Sequence, residues 1–491
     1  MYLEQVALSR VEQQHAKGKL HIKERIALLF DPDSFVEIYP EGYEEFDGVY
    51  TGYGEICGQR VYFYGQDATW KGGTFGYQHC QQMIAIIQEA IDDRKPIIGV
   101  YDGGGARIQE GAASVAGCGE LFRMNALASG YIPQIAIVAG TCAGGAVYSP
   151  GLTDFVFTIQ GTSNMFVTGA KVINEVQGTH YSIEELGSAF VHATKSGVAH
   201  FCMKSEKKCY AKVRQLIDLL PPCYSEERIF RTSQYYEKDI SDVNYWVPKD
   251  SHQAYDVKLV IDEMLDDDTF IEIQEQFAKN IVVGLGKLGG LTVGIVANQT
   301  TQKNGSIDVD AADKAARFVN FCDCYNIPII TLLDSTGFVM EAEQEYKGLI
   351  RHGAKMIHAY GEATTIRICV VLRKAYGGPY ILMGCKQLGA DKHYVWPHAE
   401  IAVMKAEGAV AVLHQKELKE LSDEEREVYL QDQLKAYQKE YMNSKMVLQR
   451  QFVEAEIKPE KTRETIYQDI IRLAGKPADP IVIKKHGNMP V

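Results

Sequence analysis

Two glycine-rich turns in the first half of the sequence have the composition needed to stabilise a developing negative charge. The apolar run at residues 97–102 is followed by GGGARIQEG (103–111), and the run at 135–140 is followed by TCAGGAVYSP (141–150). A strand that ends in glycines and then opens a helix can point consecutive backbone N–H groups at one spot, where the helix dipole adds positive potential. Because glycine has no Cβ, a ligand can approach such a backbone closely. The turns therefore predict a binding site for an oxyanion.

The same turns recur in the second half as part of a divergent duplication with an offset of about 232 residues. DPDSFVEI returns as DDDTFIEI, GYGEICGQRV as GLGKLGGLTV, and RKPIIGVYDGGG as YNIPIITLLDSTG. CAGGAVY returns as AYGGPYI, which pairs Gly144 and Gly145 with Gly377 and Gly378. Four matches in the same order predict two homologous domains, residues 1–235 and 236–491, rather than a solenoid array.

Each half alternates short β-rich runs with helical stretches. RVYFYG, IIGVYD and IAIVAG are separated by sequences such as QHCQQMIAIIQEAIDD, and VGIVANQ, IITLLD and ICVVL follow the same plan. This alternation predicts α/β layers with buried, mostly parallel strands. The polar stretch at residues 221–250 has no apolar periodicity, which is typical of a linker. Residues 414–452 are highly charged and predict one long, largely exposed helix.

Composition excludes several classes of function. The formal net charge of −13 argues against a nucleic-acid partner, although a local cluster of Lys or Arg would still bind a small anion such as CoA. The eleven cysteines contain no C-x-x-C pair, which predicts reduced thiols in a cytoplasmic protein and no metal site. The weakly polar stretch at residues 132–152 contains two prolines and several glycines, so we expect no transmembrane helix. Dinucleotide, P-loop, nucleophile-elbow and H-E-x-x-H motifs are absent from the sequence.

Over essentially its whole length, the sequence resembles the carboxyltransferase subunits of biotin-dependent acyl-CoA carboxylases. The resemblance rests on GKLHIKERIALLFDPDSFVE, GGARIQEG and CAGGAVYSPGLTDF in the first half, and on LIRHGAKMIHAY, RKAYGG, WPHAEIAVM and KKHGN in the second. That family includes the propionyl-CoA carboxylase β subunit, the methylmalonyl-CoA decarboxylase α subunit and the large transcarboxylase subunit. The resemblance implies two crotonase-like domains, each a spiral of ββα units.

The resemblance also implies which residues act. Gly144 and Gly145 would hold the thioester oxygen of an acyl-CoA as an enolate develops. The ureido oxygen of biotin would be held by Gly378 and the residue after it, with Gly377 as a further catalytic residue. Other acyl-CoA contacts are expected from Gly104, Gly105, Ala106, Arg107, Ala143, Ala146 and Ile381. Further residues on the biotin side are Gly337, Phe338, Tyr376 and Pro379. Carboxybiotin would release CO₂, its nitrogen would take the α-proton, and the enolate would attack CO₂. No side-chain nucleophile is needed, and catalysis rests on positioning and oxyanion stabilisation.

Partners follow from the same resemblance. The chain contains no ATP-binding or biotin-carrier sequence, so a biotin carboxyl carrier protein and a biotin carboxylase subunit are expected as separate chains. The site is expected between the N-terminal half of one protomer and the C-terminal half of another. This implies a homo-oligomer built from head-to-tail dimers, with a hexamer as the expected form.

Two departures from the family lie on the biotin side. Relatives read D-V-P-G-F-L-P-G where this chain has DSTGFVME (334–341), and they carry Ala or Ser at the position of Pro379, whose nitrogen has no hydrogen. A third departure is Gly103, where relatives have Ser. These changes leave two alternatives open: a biotin-independent, crotonase-like acyl-CoA decarboxylase, and a non-catalytic assembly subunit. The sequence also leaves open the acyl group and the choice among carboxylase, transcarboxylase and decarboxylase.

Overall fold

Each half of the sequence forms one mixed, mostly parallel β-sheet covered by helices. The computed structural model describes residues 2–39, 42, 45–225, 237–477 and 482–490. The chain divides into an N-terminal unit, residues 1–226 with 274–277, and a C-terminal unit, residues 227–273 with 278–491. The boundary expected between residues 235 and 236 falls outside the described residues.

The sheet of the N-terminal unit begins with an antiparallel meander, β1–β3, and continues with parallel strands. Its order is β1-β2-β3-β4-β5-β6-β8, and the short β7 pairs with the end of β5. The strands are β1 Val36–Glu37, β2 Val49–Ile56, β3 Gln59–Gln66, β4 Ile97–Gly103, β5 Gln134–Ala143, β6 Phe155–Ile159, β7 Asn164–Phe166 and β8 Phe201–Met203. The helices are α1 Tyr2–Ala16, α2 Ile22–Leu29, α3 Tyr77–Asp93, α4 Ala112–Ala128, α5 Tyr148–Gly151, α6 Ala170–Gln177, α7 Ile183–Gly187, α8 Ala189–Thr194 and α9 Glu206–Leu219.

The C-terminal unit repeats this topology. Its sheet has the order β9-β10-β11-β12-β13-β14-β16, and β15 pairs with the end of β13. The strands are β9 Ile271–Ile273, β10 Ile281–Leu288, β11 Leu291–Asn298, β12 Ile329–Ser335, β13 Arg367–Tyr376, β14 Lys392–Val395, β15 Glu400–Ala402 and β16 Ala455–Glu456. The helices are α10 Val243–Trp246, α11 Val257–Met264, α12 Val309–Cys324, α13 Ala342–Tyr346, α14 Leu349–Glu362, α15 Gly378–Leu382, α16 Ala406–Leu413, α17 Glu417–Glu420, α18 Asp423–Tyr441, α19 Lys445–Gln449 and α20 Thr462–Arg472.

The duplication extends to a local irregularity. Where β5 passes β4, residues 139–141 face a single residue of β4, and where β13 passes β12, residues 372–374 face a single residue of β12. Such bulges bend a strand and re-aim the chain that follows it. In both units the bulge lies directly before a glycine turn, so it sets the direction in which that turn leaves the sheet.

Burial explains why the strands form where the sequence predicts them. Every residue of β4, β12 and β13 is buried, as expected for central parallel strands covered on both faces.

The prediction of one long helix over residues 414–452 was wrong, because the segment forms three helices, α17, α18 and α19. Ser422 and Glu425 form a reciprocal capping box that starts α18 as a new helix. Within the described ranges, no helix is both long and apolar enough to cross a membrane.

Candidate active site

In the N-terminal unit the first glycine turn presents one backbone amide towards β5. Phe75, beyond the end of β3, donates to the carbonyl of Gly105 and accepts from the N–H of Arg107, each at 2.8 Å. These two bonds flank Ala106, so the N–H of Ala106 points away from Phe75. Because the sheet order is β3-β4-β5, that direction leads to the second glycine turn. The two turns are close, since a methyl group at Gly105 would lie 2.6 Å from the carbonyl oxygen of Ala143.

The second turn leaves an open space in front of its own amides. Gly144 has φ +62°, a conformation that side chains rarely adopt, and this residue redirects the chain into a helical turn. Gly145 is exposed, and its φ lies outside the left-handed region. A methyl group at this residue would meet no protein atom within 4 Å. Neither backbone conformation nor internal packing therefore requires glycine at position 145. The free volume at this residue is what a bound ligand needs.

The C-terminal unit repeats both turns, at residues 334–341 and 375–381, with nearly the same backbone. Ile307 donates to the carbonyl of Gly337 at 3.0 Å and accepts from the N–H of Val339 at 2.9 Å. The N–H of Phe338 therefore points away from Ile307, as that of Ala106 points away from Phe75. Gly377 has φ +62°, the same value as Gly144.

Packing against the second turn differs between the units. A methyl group at Gly378 would lie 2.5 Å from the ring of Phe338, whereas Gly145 faces open space. Ile381 lies on α15 and is 47% exposed. The second turn of the C-terminal unit is thus the more enclosed of the two.

The C-terminal turns offer fewer free amides than the sequence repeat suggests. Gly377 donates its N–H to the carbonyl of Ala402 at 2.9 Å, so that amide serves the fold. Pro379, at the second position of α15, is buried and has no N–H. The hydroxyls of Ser335 and Thr336 are engaged with Gly337 and with Ser306. The amides of Gly378 and Phe338 remain as the donors that the two turns can offer.

A buried carboxylate at the end of the central strand supports the turns in each unit, a role that the sequence patterns did not predict. Asp102 accepts from Lys19 at 2.7 Å and from Arg25 at 3.0 Å. Asp334 accepts from Arg373 at 2.7 Å and from Lys374 at 2.9 Å. The only sequence signal was that the duplication pairs the two aspartates.

The bulges bring the second strand against these carboxylates. A methyl group at Gly140, in the β5 bulge, would lie 2.0 Å from an oxygen of Asp102. In the β13 bulge, Arg373 occupies the corresponding place and forms its ion pair with Asp334. Each carboxylate therefore joins the end of one central strand to the bulge of its neighbour.

Arg107, expected to contact the acyl-CoA, is instead occupied within the protein. The residue is 5% exposed, and its guanidinium donates to Asp47 at 2.7 Å, to Glu110 at 2.6 Å and to the carbonyl of Thr74 at 2.9 Å. Burial opposes the charge on Arg107, but the hydrogen bonds to Asp47 and Glu110 raise its pKa overall. The side chain holds the first turn in shape and has little capacity left for an anionic ligand.

A cavity adjoins the turns in each unit. In the N-terminal unit, a cavity of about 280 Å³ lies beside the loop at residues 68–72, which contacts the first turn where Gly104 donates to the carbonyl of Gly72. The cavity lining includes Arg10, Lys17 and Lys71 but no carboxylate. In the C-terminal unit, a cavity of about 430 Å³ is lined by Thr336, Tyr376, Lys374 and Glu400, among others. Among the described residues, no group of three His, Cys, Asp or Glu side chains is arranged to hold a metal ion.

Comparison with known proteins defines the class. A family model described as the carboxyl transferase domain matches residues 13–489. The chain therefore belongs to the carboxyl transferase family. It is 43% identical over 518 residues to the biotin-dependent acetyl-/propionyl-coenzyme A carboxylase beta5 subunit of Mycobacterium tuberculosis (strain CDC 1551 / Oshkosh), covering 100% of this chain and 93% of that protein. It is 41% identical over 495 residues to the methylmalonyl-CoA decarboxylase subunit alpha of Veillonella parvula, covering 98% and 95%.

A solved structure matches along the whole chain. The transcarboxylase 12S, described as a hexamer assembly with methylmalonyl-coenzyme A bound, superposes with a TM-score of 0.94 at 40% identity and covers 98% of this chain and 94% of that one. The prediction of two homologous α/β domains of the carboxyltransferase type is confirmed. The chain is an acyl-CoA carboxyltransferase of the propionyl-CoA carboxylase and transcarboxylase type.

Proposed function

We propose that this chain moves a carboxyl group between biotin on a separate carrier protein and the α-carbon of an acyl-CoA. The observation on which this proposal depends is the pair of equivalent sites, each built from two glycine turns that approach each other closely. Two oxyanions, a thioester enolate and the ureido oxygen of biotin, need two such cradles in one reaction. The experiment is decarboxylation of malonyl- or methylmalonyl-CoA by the purified chain, with and without free biotin. Acceleration by biotin supports the proposal, and an equal rate without biotin supports the biotin-independent alternative.

The N-terminal unit is the acyl-CoA side. The amides of Ala106 and Gly145 would donate to the thioester oxygen, and those bonds strengthen as negative charge moves onto that oxygen in the enolate. The cavity beside the first turn supplies Arg10 and Lys17, whose charges suit the phosphate groups of CoA, while Lys71 is already paired with Asp47. No side chain of the turns is required as a nucleophile.

The C-terminal unit is the biotin side, and its donors fit a single ureido oxygen. Gly378 and Phe338 would supply the two amides, and Gly377 holds the turn through its positive φ. When bound, biotin supplies the transferable carboxyl group and a nitrogen base. The protein's part is to orient the ring against the acyl-CoA and to stabilise negative charge on the ureido oxygen.

The substrate class and partners extend the proposal. Relatives named for acetyl-, propionyl- and methylmalonyl-CoA support a short acyl-CoA, and the exposed Ile381 is the side chain we assign to acyl-chain choice. A biotin carboxyl carrier protein, and a biotin carboxylase in a carboxylase complex, would act as separate chains. The eleven free cysteines support a reducing, cytoplasmic location.

Pro379 gives a direct test of the biotin side. We expect Pro379→Ala to raise biotin-dependent transfer by up to roughly 10²-fold, because it restores an amide donor next to that of Gly378. Affinity for acyl-CoA should stay nearly unchanged, since the turns that hold its thioester belong to the N-terminal unit and Ile381 is not altered. The measurement is biotin-dependent decarboxylation of malonyl- or methylmalonyl-CoA by wild type and variant. A variant no faster than wild type makes the missing amide irrelevant.

We also propose a homo-oligomer of head-to-tail dimers, with six chains as in the transcarboxylase 12S assembly. Large apolar side chains follow the first turn at equivalent positions, and both are almost fully exposed: Ile108 at 89% and Met340 at 90%. Tyr346 and Ile350 extend the exposed apolar surface of the C-terminal unit, being 85% and 83% exposed. Apolar groups of this size beside a catalytic turn favour burial against another copy.

Light scattering tests the assembly. We expect a mass six times the 54.8 kDa of one chain at micromolar concentration. Ile108→Asp together with Met340→Asp should lower that mass and activity together, because a carboxylate is costly to bury at an interface. An active monomer would contradict the shared site.

A further inference from the structure

Tyr376, the last residue of β13, is anchored in a way that has no counterpart in the N-terminal unit. Its hydroxyl donates a hydrogen bond to the carboxylate of Glu400, at the start of β15. The corresponding positions of β5 and β7 are Ala143 and Asn164. Tyr376 directly precedes Gly377, so whatever fixes Tyr376 also fixes the start of the biotin-side turn.

The ring of Tyr376 is not held by close packing alone. It contacts Ala406 and Met442, in a small apolar cluster with residues of α16 and α18. All three residues also line the cavity of about 430 Å³, so part of the ring faces open space. A ring beside a cavity lacks the neighbours that restrict a core side chain to one position. The hydrogen bond to Glu400 supplies the missing restriction.

Strand β15 thus holds the turn at two points. Glu400 binds the hydroxyl of Tyr376, and the carbonyl of Ala402 accepts the N–H of Gly377 at 2.9 Å. Burial, followed by the hydrogen bond to Glu400, raises the pKa of the Tyr376 hydroxyl well above its usual range. The hydroxyl therefore stays protonated near neutral pH, where it can donate to Glu400.

We propose that Glu400 is a positioning residue for the biotin side, acting through Tyr376 on Gly377 and Gly378. The inference rests on the proposed function, because the position of this turn affects the rate only if the turn holds the biotin oxygen. Displacement of a binding group by about 1 Å can lower a rate by roughly 10²-fold. Loss of this anchor should thus slow biotin-dependent transfer without affecting the acyl-CoA side.

Three single substitutions, and one double variant that combines Tyr376→Phe with Glu400→Leu, test the anchor. We expect Tyr376→Phe and Glu400→Leu each to lower kcat for biotin-dependent decarboxylation of methylmalonyl-CoA by roughly 10- to 100-fold. The Kd for CoA, measured by calorimetry, should match that of wild type. The double variant should be no slower than either single variant, because both remove the same hydrogen bond. Glu400→Gln keeps an acceptor for the hydroxyl and should recover most of the rate.

Tyr394→Phe is the matched control. Tyr394 lies on the adjacent strand β14 and donates a buried hydrogen bond of the same kind to Asp469, at 2.5 Å, but it does not precede the turn. We expect wild-type kcat for this variant. Wild-type kcat in Tyr376→Phe, an equal loss in Tyr394→Phe, or additive losses in the double variant would each overturn the assignment. Failure of the proposed function would appear differently, as a wild-type enzyme whose rate does not depend on biotin.

Discussion

Gly145→Val should reduce carboxyl transfer by at least roughly 10²- to 10³-fold while leaving the fold and the oligomer intact. A Cβ at position 145 meets no protein atom within 4 Å, and the backbone there is not in the left-handed region, so we expect the valine to be accommodated. The added isopropyl group would fill the volume where the thioester oxygen must approach the amides of Ala106 and Gly145. Steady-state decarboxylation and light scattering on the same preparation measure the two parts of this expectation.

Gly119→Val is the control for that variant. Gly119 lies on α4, is also exposed, and a methyl group there would likewise meet no protein atom within 4 Å. Its amide belongs to the interior of a helix and cannot face a ligand. We expect this variant to keep its activity. Unchanged turnover in Gly145→Val would remove the oxyanion role from the second turn.

Asp334→Asn should lower the free energy of unfolding by about 3–5 kcal/mol, because it leaves two buried cations without their counter-charge. Arg373 is 2% exposed, and Lys374 is 5% exposed. Burial lowers the pKa of Lys374, although the charge of Asp334 opposes that shift. Without Asp334 the lysine would therefore tend to lose its proton. The arginine would remain a buried cation whose partners are the neutral carbonyls of Pro248, Asp250 and Gln253.

Urea unfolding followed by tryptophan fluorescence measures the effect of Asp334→Asn, since Trp246 and Trp396 both lie in the C-terminal unit. Asp267→Asn serves as the control, because Asp267 is 76% exposed and its ion pair with Lys238 lies at the surface. That control should leave the midpoint unchanged. Equal midpoints for Asp334→Asn and wild type would show that the buried pair does not support the unit.

The duplication made much of the fold predictable from the sequence. Repeated glycines paired Gly144 with Gly377, and both residues have the same φ of +62°. The strands around the turns were predictable because central parallel strands are continuous apolar runs. The resemblance to carboxyltransferases then assigned a chemistry that the glycine turns alone do not specify.

The sequence could not predict side-chain contacts between residues that are far apart along the chain. Asp102 is held by Lys19 and Arg25 from the start of the chain, whereas Asp334 is held by residues of the neighbouring strand. The same carboxylate thus has partners from unrelated elements in the two units, and no spacing rule would connect them. The ion pair between Arg107 and Asp47 was not predictable for the same reason, because the two residues are 60 positions apart in the sequence. Arg107 was therefore expected to contact the ligand.

Transfer of a radiolabelled carboxyl group tests the central claim most directly. The purified chain is incubated with methylmalonyl-CoA labelled in its free carboxyl group and with biotin, and the label is followed onto the biotin ring. We predict labelled biotin in wild type, more in Pro379→Ala and none in Gly145→Val. Loss of the label as CO₂ at the same rate with or without biotin, and no labelled biotin in any variant, would contradict the account.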